Sequence, residues 1–164
     1  SRSSPRELER SLELSAGEAA RVAAAFALGR RVSGHVRPPR GPLRSAVLVH
    51  RLLEAELRGL ERETFHVLLL DGKHALRRRE AISVGTLTTS LVHPREVFRL
   101  AVRESAAAVI CAHNHPSGDP EPSAEDLEVT RRLIQAGTLL GIPLLDHVVI
   151  GEGRFVSLRE RMGF

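Results

Sequence analysis

Apolar residues recur along this chain with two different periods, and each change of period marks an element. Residues 4–32 carry helical spacing in two short runs. Ser4-Pro5-Arg6-Glu7 reads as a capped helix start with proline at the first helical position. Glu18–Arg31 is Ala-rich, with an apolar stripe through Ala19, Val22, Ala23, Phe26 and Ala27. Gly34, Pro38, Pro39, Gly41 and Pro42 break the pattern and predict a linker over 33–44. Ser45–Leu60 returns to helical spacing through Val47, Leu48, Leu52, Leu53, Ala55 and Leu57. Glu63–Leu70 has the aliphatic and β-branched content of a buried strand, and an Asp71-Gly72 turn should return it through a second strand, Ala75–Val84. A helix is expected over Arg95–Ser105, a strand over Ala106–His115, and a helix from Ser123. Two strands follow, Pro143–Ile150 and Arg154–Ser157, around Gly151-Glu152-Gly153. This order implies an α/β sandwich around a mixed sheet. The chain divides into a helical arm (1–32), a linker (33–44) and a main domain (45–164).

The chemistry concentrates in VICAHNHPSGDPEPSAEDLEVTRRL, residues 109–133. Side chains two apart on a strand point the same way, so His113 and His115 share one face. Two neutral imidazoles at the end of a buried strand suit one divalent metal, with a carboxylate oxygen as third partner. Asp126 is the candidate. Prolines stiffen the intervening loop and Gly118 lets it turn. Three protein ligands leave a tetrahedral ion one open corner, as in catalytic zinc sites. A plainer reading stands beside this one: two polar strand-end histidines, and Ser123-x-x-Asp126 as the capping box of a helix.

Composition changes the picture little. The chain has 164 residues, 42% hydrophobic, with no Trp or Tyr and five Phe, so its core is aliphatic. Lys73 is the sole lysine and arginine supplies the other basic groups; a net charge of +4 permits nucleic-acid contact without requiring it. Cys111 is the single cysteine. It excludes an intrachain disulfide, fits a reducing, cytoplasmic compartment, and is read as a small buried strand residue. No apolar run is long enough for a membrane span, and no signal peptide is expected. The absence of an initiator Met suggests a processed or truncated chain. His66 reads as strand packing, His93 as a helix-start residue, His147 as a neighbour of the site and Asn114 as a tie for the loop.

His113-x-His115-Pro116, six residues, then Ser123-x-x-Asp126 resembles the JAMM (MPN+) metalloprotease signature. The fuller HNHPSGDPEPSAEDLEVTRRL, with VHPREVFRLAV (Val92–Val102) and LLDHVVIGEGRFVSLRE (Leu144–Glu160), is similar to the RadC family, a bacterial branch of that superfamily traditionally labelled with DNA repair. The resemblance implies a JAMM/MPN-like (cytidine-deaminase-like) mixed sheet flanked by helices. It implies one zinc ion on His113, His115 and Asp126, and hydrolysis of an amide or isopeptide bond in a peptide or protein by a metal-activated water. A glutamate just before an early strand serves as general base in such enzymes. Glu63 matches that place, with Glu61 and Glu80 as alternatives. Ser123 takes the position of the serine that stabilises the oxyanion. The arm resembles the end of a helix-hairpin-helix segment but lacks its Gly-x-Gly turn, which favours a docking or linking role over DNA binding. Two other classes remain: a DNA-associated protein whose metal nicks phosphodiesters or supports structure, and a non-catalytic MPN-like scaffold.

Overall fold

The computed structural model of this chain describes residues 5–34, 41–85 and 92–164. Its contacts divide the chain into two compact units, Ser1–Arg37 and Pro38–Phe164. The first is a helical hairpin of α1 (Pro5–Leu12) and α2 (Ala16–Gly34). Between them Glu13 adopts a left-handed φ of 51°. Ser15 then opens α2 by donating its backbone N–H and its hydroxyl to the Glu18 carboxylate, at 3.0 and 2.6 Å. These bonds hold the Glu18 carboxyl below its ordinary range. Ser4, expected to cap α1, and residues 35–40 of the expected linker lie outside the described residues.

The second unit runs α3 (Ala46–Leu57), β1 (Thr64–Leu70), β2 (Leu76–Val84), α4 (Pro94–Arg103), β3 (Ala108–Asn114), α5 (Ala124–Leu140), β4 (Leu144–Ile150), β5 (Phe155–Ser157) and α6 (Leu158–Met162). The five strands form one sheet in the order β2-β1-β3-β4-β5. β3 and β4 are parallel, because α5 carries the chain back across one face between them. The other neighbours are antiparallel. The sheet is therefore mixed, as the sequence pattern implies.

Both faces of the central strands are covered, so β1 and β3 are buried at every position. On one face Phe65, Val67, Leu69, Val109 and Cys111 pack against Val97, Phe98 and Ala101 of α4 and Val129 and Leu133 of α5. On the other, Leu68, Leu70, Ile110, Ala112, Val148 and Ile150 meet Val49, Leu53 and Leu57 of α3. Burying each large aliphatic side chain contributes about 1.5–3 kcal/mol. A one-residue slip of β1 on β3 would exchange the two sets and forfeit the fit of both faces. The observed register pairs Phe65 with His113 and Leu70 with Ala108. It thereby carries His113 to the end of the sheet on the α5 face.

Two local details depart from the sequence expectation. The β1–β2 connection is not a two-residue turn. Leu70 pairs with Leu76, and the five residues between are organised by Asp71, whose carboxylate accepts from the N–H groups of Lys73 (2.8 Å) and Ala75 (2.9 Å) while His74 turns left-handed at φ 62°. The second is α6, five residues long and too short to show a period. It is nucleated by Ser157, whose hydroxyl accepts from Glu160 N–H at 3.2 Å, and by Asp146, whose carboxylate accepts from Arg159 N–H at 3.1 Å.

His66, as expected, is a packing residue on β1. It is 4% exposed, and neither ring nitrogen has a partner among the described residues. Burial, with Arg79 nearby, pushes its pKa from 6.5 down to about 4. Above pH 6.5 the group is neutral in both folded and unfolded chains and its proton balance contributes nothing. As the pH falls from 6.5 to about 4, the unfolded chain takes up a proton that the folded chain refuses. Stability is lost across that window, by up to about 3 kcal/mol. His66→Leu should therefore raise the urea midpoint relative to wild type more at pH 5 than at pH 7.5. An equal difference at both values would remove His66 as a source of acid sensitivity.

Candidate metal centre

β3 ends at Asn114 and the chain continues through His115 into the loop 116–122, which returns to Ser123 at the start of α5. This brings three donor atoms to one point. His113 Nε2 lies 3.1 Å from His115 Nε2 and 3.2 Å from Asp126 Oδ1, and His115 Nε2 lies 3.3 Å from Asp126 Oδ2. Donors held about 2.0–2.1 Å from a tetrahedral zinc stand about 3.3–3.4 Å from one another. Each of these contacts is close to that length, one carboxylate oxygen facing each imidazole, and the nitrogen and oxygen donors are those such an ion takes. His113, His115 and Asp126 form a group able to hold a metal ion.

The surroundings prepare each ligand. His115 presents Nε2 because its Nδ1 lies 2.8 Å from the carbonyl oxygen of Asp119, which can only accept. Burial alone would raise the Asp126 carboxyl, but hydrogen bonds with His113, His115 and Ser123 outweigh it and hold the group ionised, well below the carboxylate range. The same carboxylate raises the pKa of His115 against the opposing effect of burial, with smaller contributions from the Asp119 carbonyl and the charge of Glu63. An anion 2% exposed and facing two imidazoles is an arrangement that a cation completes. Behind the ligands, Phe65 stacks on the His113 ring at 6.1 Å and meets the His147 ring edge-on at 5.2 Å, closing that side with apolar surface.

Comparison with known proteins agrees with this geometry. A profile described as the RadC-like JAB domain matches residues 43–164. The chain is 48% identical over 143 residues to a UPF0758 protein of Methanosarcina mazei, covering 87% of this chain and 62% of that protein. It is 49% identical to one from Desulforamulus reducens (88% and 63%) and 49% identical to one from Moorella thermoacetica (94% and 67%). This chain belongs to the RadC-like JAB domain family. It spans a little under two thirds of the length of several of these relatives.

Within this RadC-like domain, Glu63 is half-buried immediately before β1, close enough to His115 to act on it electrostatically. Its placement comes from a residue read differently in the sequence. Asn114 does not tie the metal loop. Its Oδ1 accepts from Thr64 N–H at 2.9 Å and its Nδ2 donates to Arg62 C=O at 3.1 Å, so it grips both neighbours of Glu63. Of the two alternatives, Glu61 is exposed, and Glu80 accepts two hydrogen bonds from Arg78, at 3.1 and 3.0 Å. Ser123 caps α5: its Oγ accepts from Asp126 N–H at 3.1 Å and donates to Asp126 Oδ2 at 2.7 Å, while Asp126 Oδ2 accepts from Ser123 N–H at 2.8 Å. The capping box and the ligand triangle are one structure, so the two sequence readings of Asp126 do not compete. Cys111 is a buried strand residue whose thiol is pushed up by burial, and it does not belong to the ligand group. His93 caps α4, accepting from Arg95 N–H at 3.1 Å. No helix among the described residues is long and apolar enough to cross a membrane.

Gly151 is a member of the site that the sequence disguises as a turn residue. A Cβ there would meet the Gly118 carbonyl oxygen at 2.3 Å and Pro120 Cδ at 2.7 Å. The metal loop lies directly on this backbone, held by Glu152 N–H donating to Gly118 C=O at 2.8 Å. Gly151→Ala should lift the loop and withdraw the Asp119 carbonyl from His115. We expect a loss of about 1–3 kcal/mol in stability and zinc binding weakened about tenfold to a hundredfold, read by chelator competition. Unchanged zinc affinity would show that the loop does not hold His115.

Proposed function

We propose that this domain is a zinc-dependent hydrolase of amide or isopeptide bonds in a peptide or protein, acting in the cytoplasm. The observation that carries the reading is the grouping of His113 Nε2, His115 Nε2 and the Asp126 carboxylate, the two nitrogens 3.1 Å apart and each 3.2–3.3 Å from one carboxylate oxygen, beside the half-buried Glu63. When bound, zinc supplies Lewis acidity that brings the ionisation of water to about pH 7. The chain's own groups do the rest.

Glu63 carries the proton. Its carboxylate takes a proton from water on the approach to the scissile carbonyl and returns it to the departing amine. The grip of Asn114 on Arg62 and Thr64 fixes the backbone on both sides of Glu63 and supports this role. Ser123 is the oxyanion donor. Its oxygen already accepts the capping N–H, and rotation about Cβ–Oγ re-aims the hydroxyl proton from Asp126 to substrate without loss of the cap. Asp126 stays ionised throughout because its neighbours hold it so.

Elemental analysis of protein purified without added metal should find stoichiometric zinc, lost in His113→Ala. Glu63→Gln should keep the zinc and lose about a hundredfold to ten-thousandfold in the hydrolysis of peptide and isopeptide-linked substrates. Ser123→Ala should lose about a hundredfold to a thousandfold, with about 1 kcal/mol of stability from the cap. Zinc-loaded protein that cleaves DNA and leaves every peptide intact would overturn the reading in favour of a nuclease.

A further inference from the structure

A hydrogen-bonded chain behind the metal-facing atoms runs from His113 through His147 and Thr130 to the backbone carbonyl of Asp126. His113 Nδ1 lies 2.9 Å from His147 Nε2, and His147 Nδ1 lies 2.6 Å from Thr130 Oγ1. Thr130 Oγ1 lies 2.6 Å from the backbone carbonyl oxygen of Asp126. His113, His147 and Thr130 are all fully buried, so no water competes for these contacts.

The carbonyl decides the direction of every bond. It has no proton, so at 2.6 Å the Thr130 hydroxyl must donate to it. That hydroxyl has one hydrogen, which is now spent, and it can only accept from His147. His147 therefore carries its proton on Nδ1, and its Nε2 faces His113 as an acceptor. His113 must donate from Nδ1, which leaves Nε2 as the atom that faces the other ligands and is free to give its lone pair to a metal. The opposite direction would leave two bare acceptors 2.6 Å apart and put a proton on the His113 atom that faces the metal. We infer that Thr130 and His147 are positioning residues that fix His113 in its metal-binding tautomer, and that the Asp126 main chain anchors this arrangement. Asp126 then acts twice, as a ligand through its side chain and as the reference acceptor through its backbone.

This rests on the metal-centre reading, and the two can fail separately. In the wild-type protein, long-range proton–nitrogen NMR should show His147 protonated at Nδ1 and bare at Nε2 and, with zinc bound, His113 protonated at Nδ1. Thr130→Val keeps the volume and removes the hydroxyl. It should weaken zinc binding about tenfold to a hundredfold in competition with a fluorescent chelator and disturb the His113 nitrogen signals. Thr130→Ser restores the hydroxyl and should restore both readouts. A wild-type His147 protonated at Nε2, or a folded Thr130→Val with unaltered zinc affinity, would overturn the inference. Should Thr130→Val not fold, the wild-type spectrum decides alone. Wild-type protein that binds no zinc sinks the metal reading, while the same spectrum still tests the chain.

Discussion

The antiparallel pairing of β1 with β3 is the constraint from which the site follows. Both strands are buried on both faces, so their alternation admits one register, and that register sets Phe65 opposite His113. The apolar ring then backs the imidazole, and Glu63, one residue ahead of Thr64 and β1, comes to the same edge of the sheet. No local preference of His113 or Glu63 could produce this juxtaposition. It comes from the core, which the aliphatic residues on either side of each strand define.

Upon that frame the centre is assembled by satisfying one buried anion. Asp126 is 2% exposed, and its oxygens meet two imidazoles, a serine hydroxyl and a main-chain N–H. Ser123 donates two hydrogen bonds to it, from its hydroxyl and its main chain, and both imidazoles turn Nε2 toward it. The capping of α5, the fold-back of the loop 116–122 and the ends of β3 all converge on that one carboxylate. A loop seated on Gly151 and a helix start seated on Ser123 thus share a single electrostatic purpose.

Much of this was legible in the residues. Period-two and helical spacing located the elements from α3 to β5, and the shared face of His113 and His115 was read from alternation alone. The ligand group needed the resemblance as well, because spacing cannot say whether Asp126 turns inward or merely caps a helix; in the structure it does both. What escaped had physical reasons. Thr130 looks like one more residue of an amphipathic helix, and its role depends on a strand seventeen positions later. The part played by Gly151 is a close backbone approach, which leaves no pattern in sequence. Asn114 was assigned to the wrong neighbour because the segment it grips lies fifty residues upstream. The short α6 is set by Asp146 across the sheet rather than by any period of its own.

The grip of Asn114 on both sides of Glu63 ties the centre to one end of the sheet. Residues 113–126 and the tripeptide 62–64 together carry every group assigned here to metal and proton, and they meet at one rim of the sheet. The opposite rim, where Asp71–Ala75 and Gly141–Pro143 connect the strands, contributes nothing to that assembly. An insertion in those distal connections would enlarge the fold at the far rim and leave these groups in place.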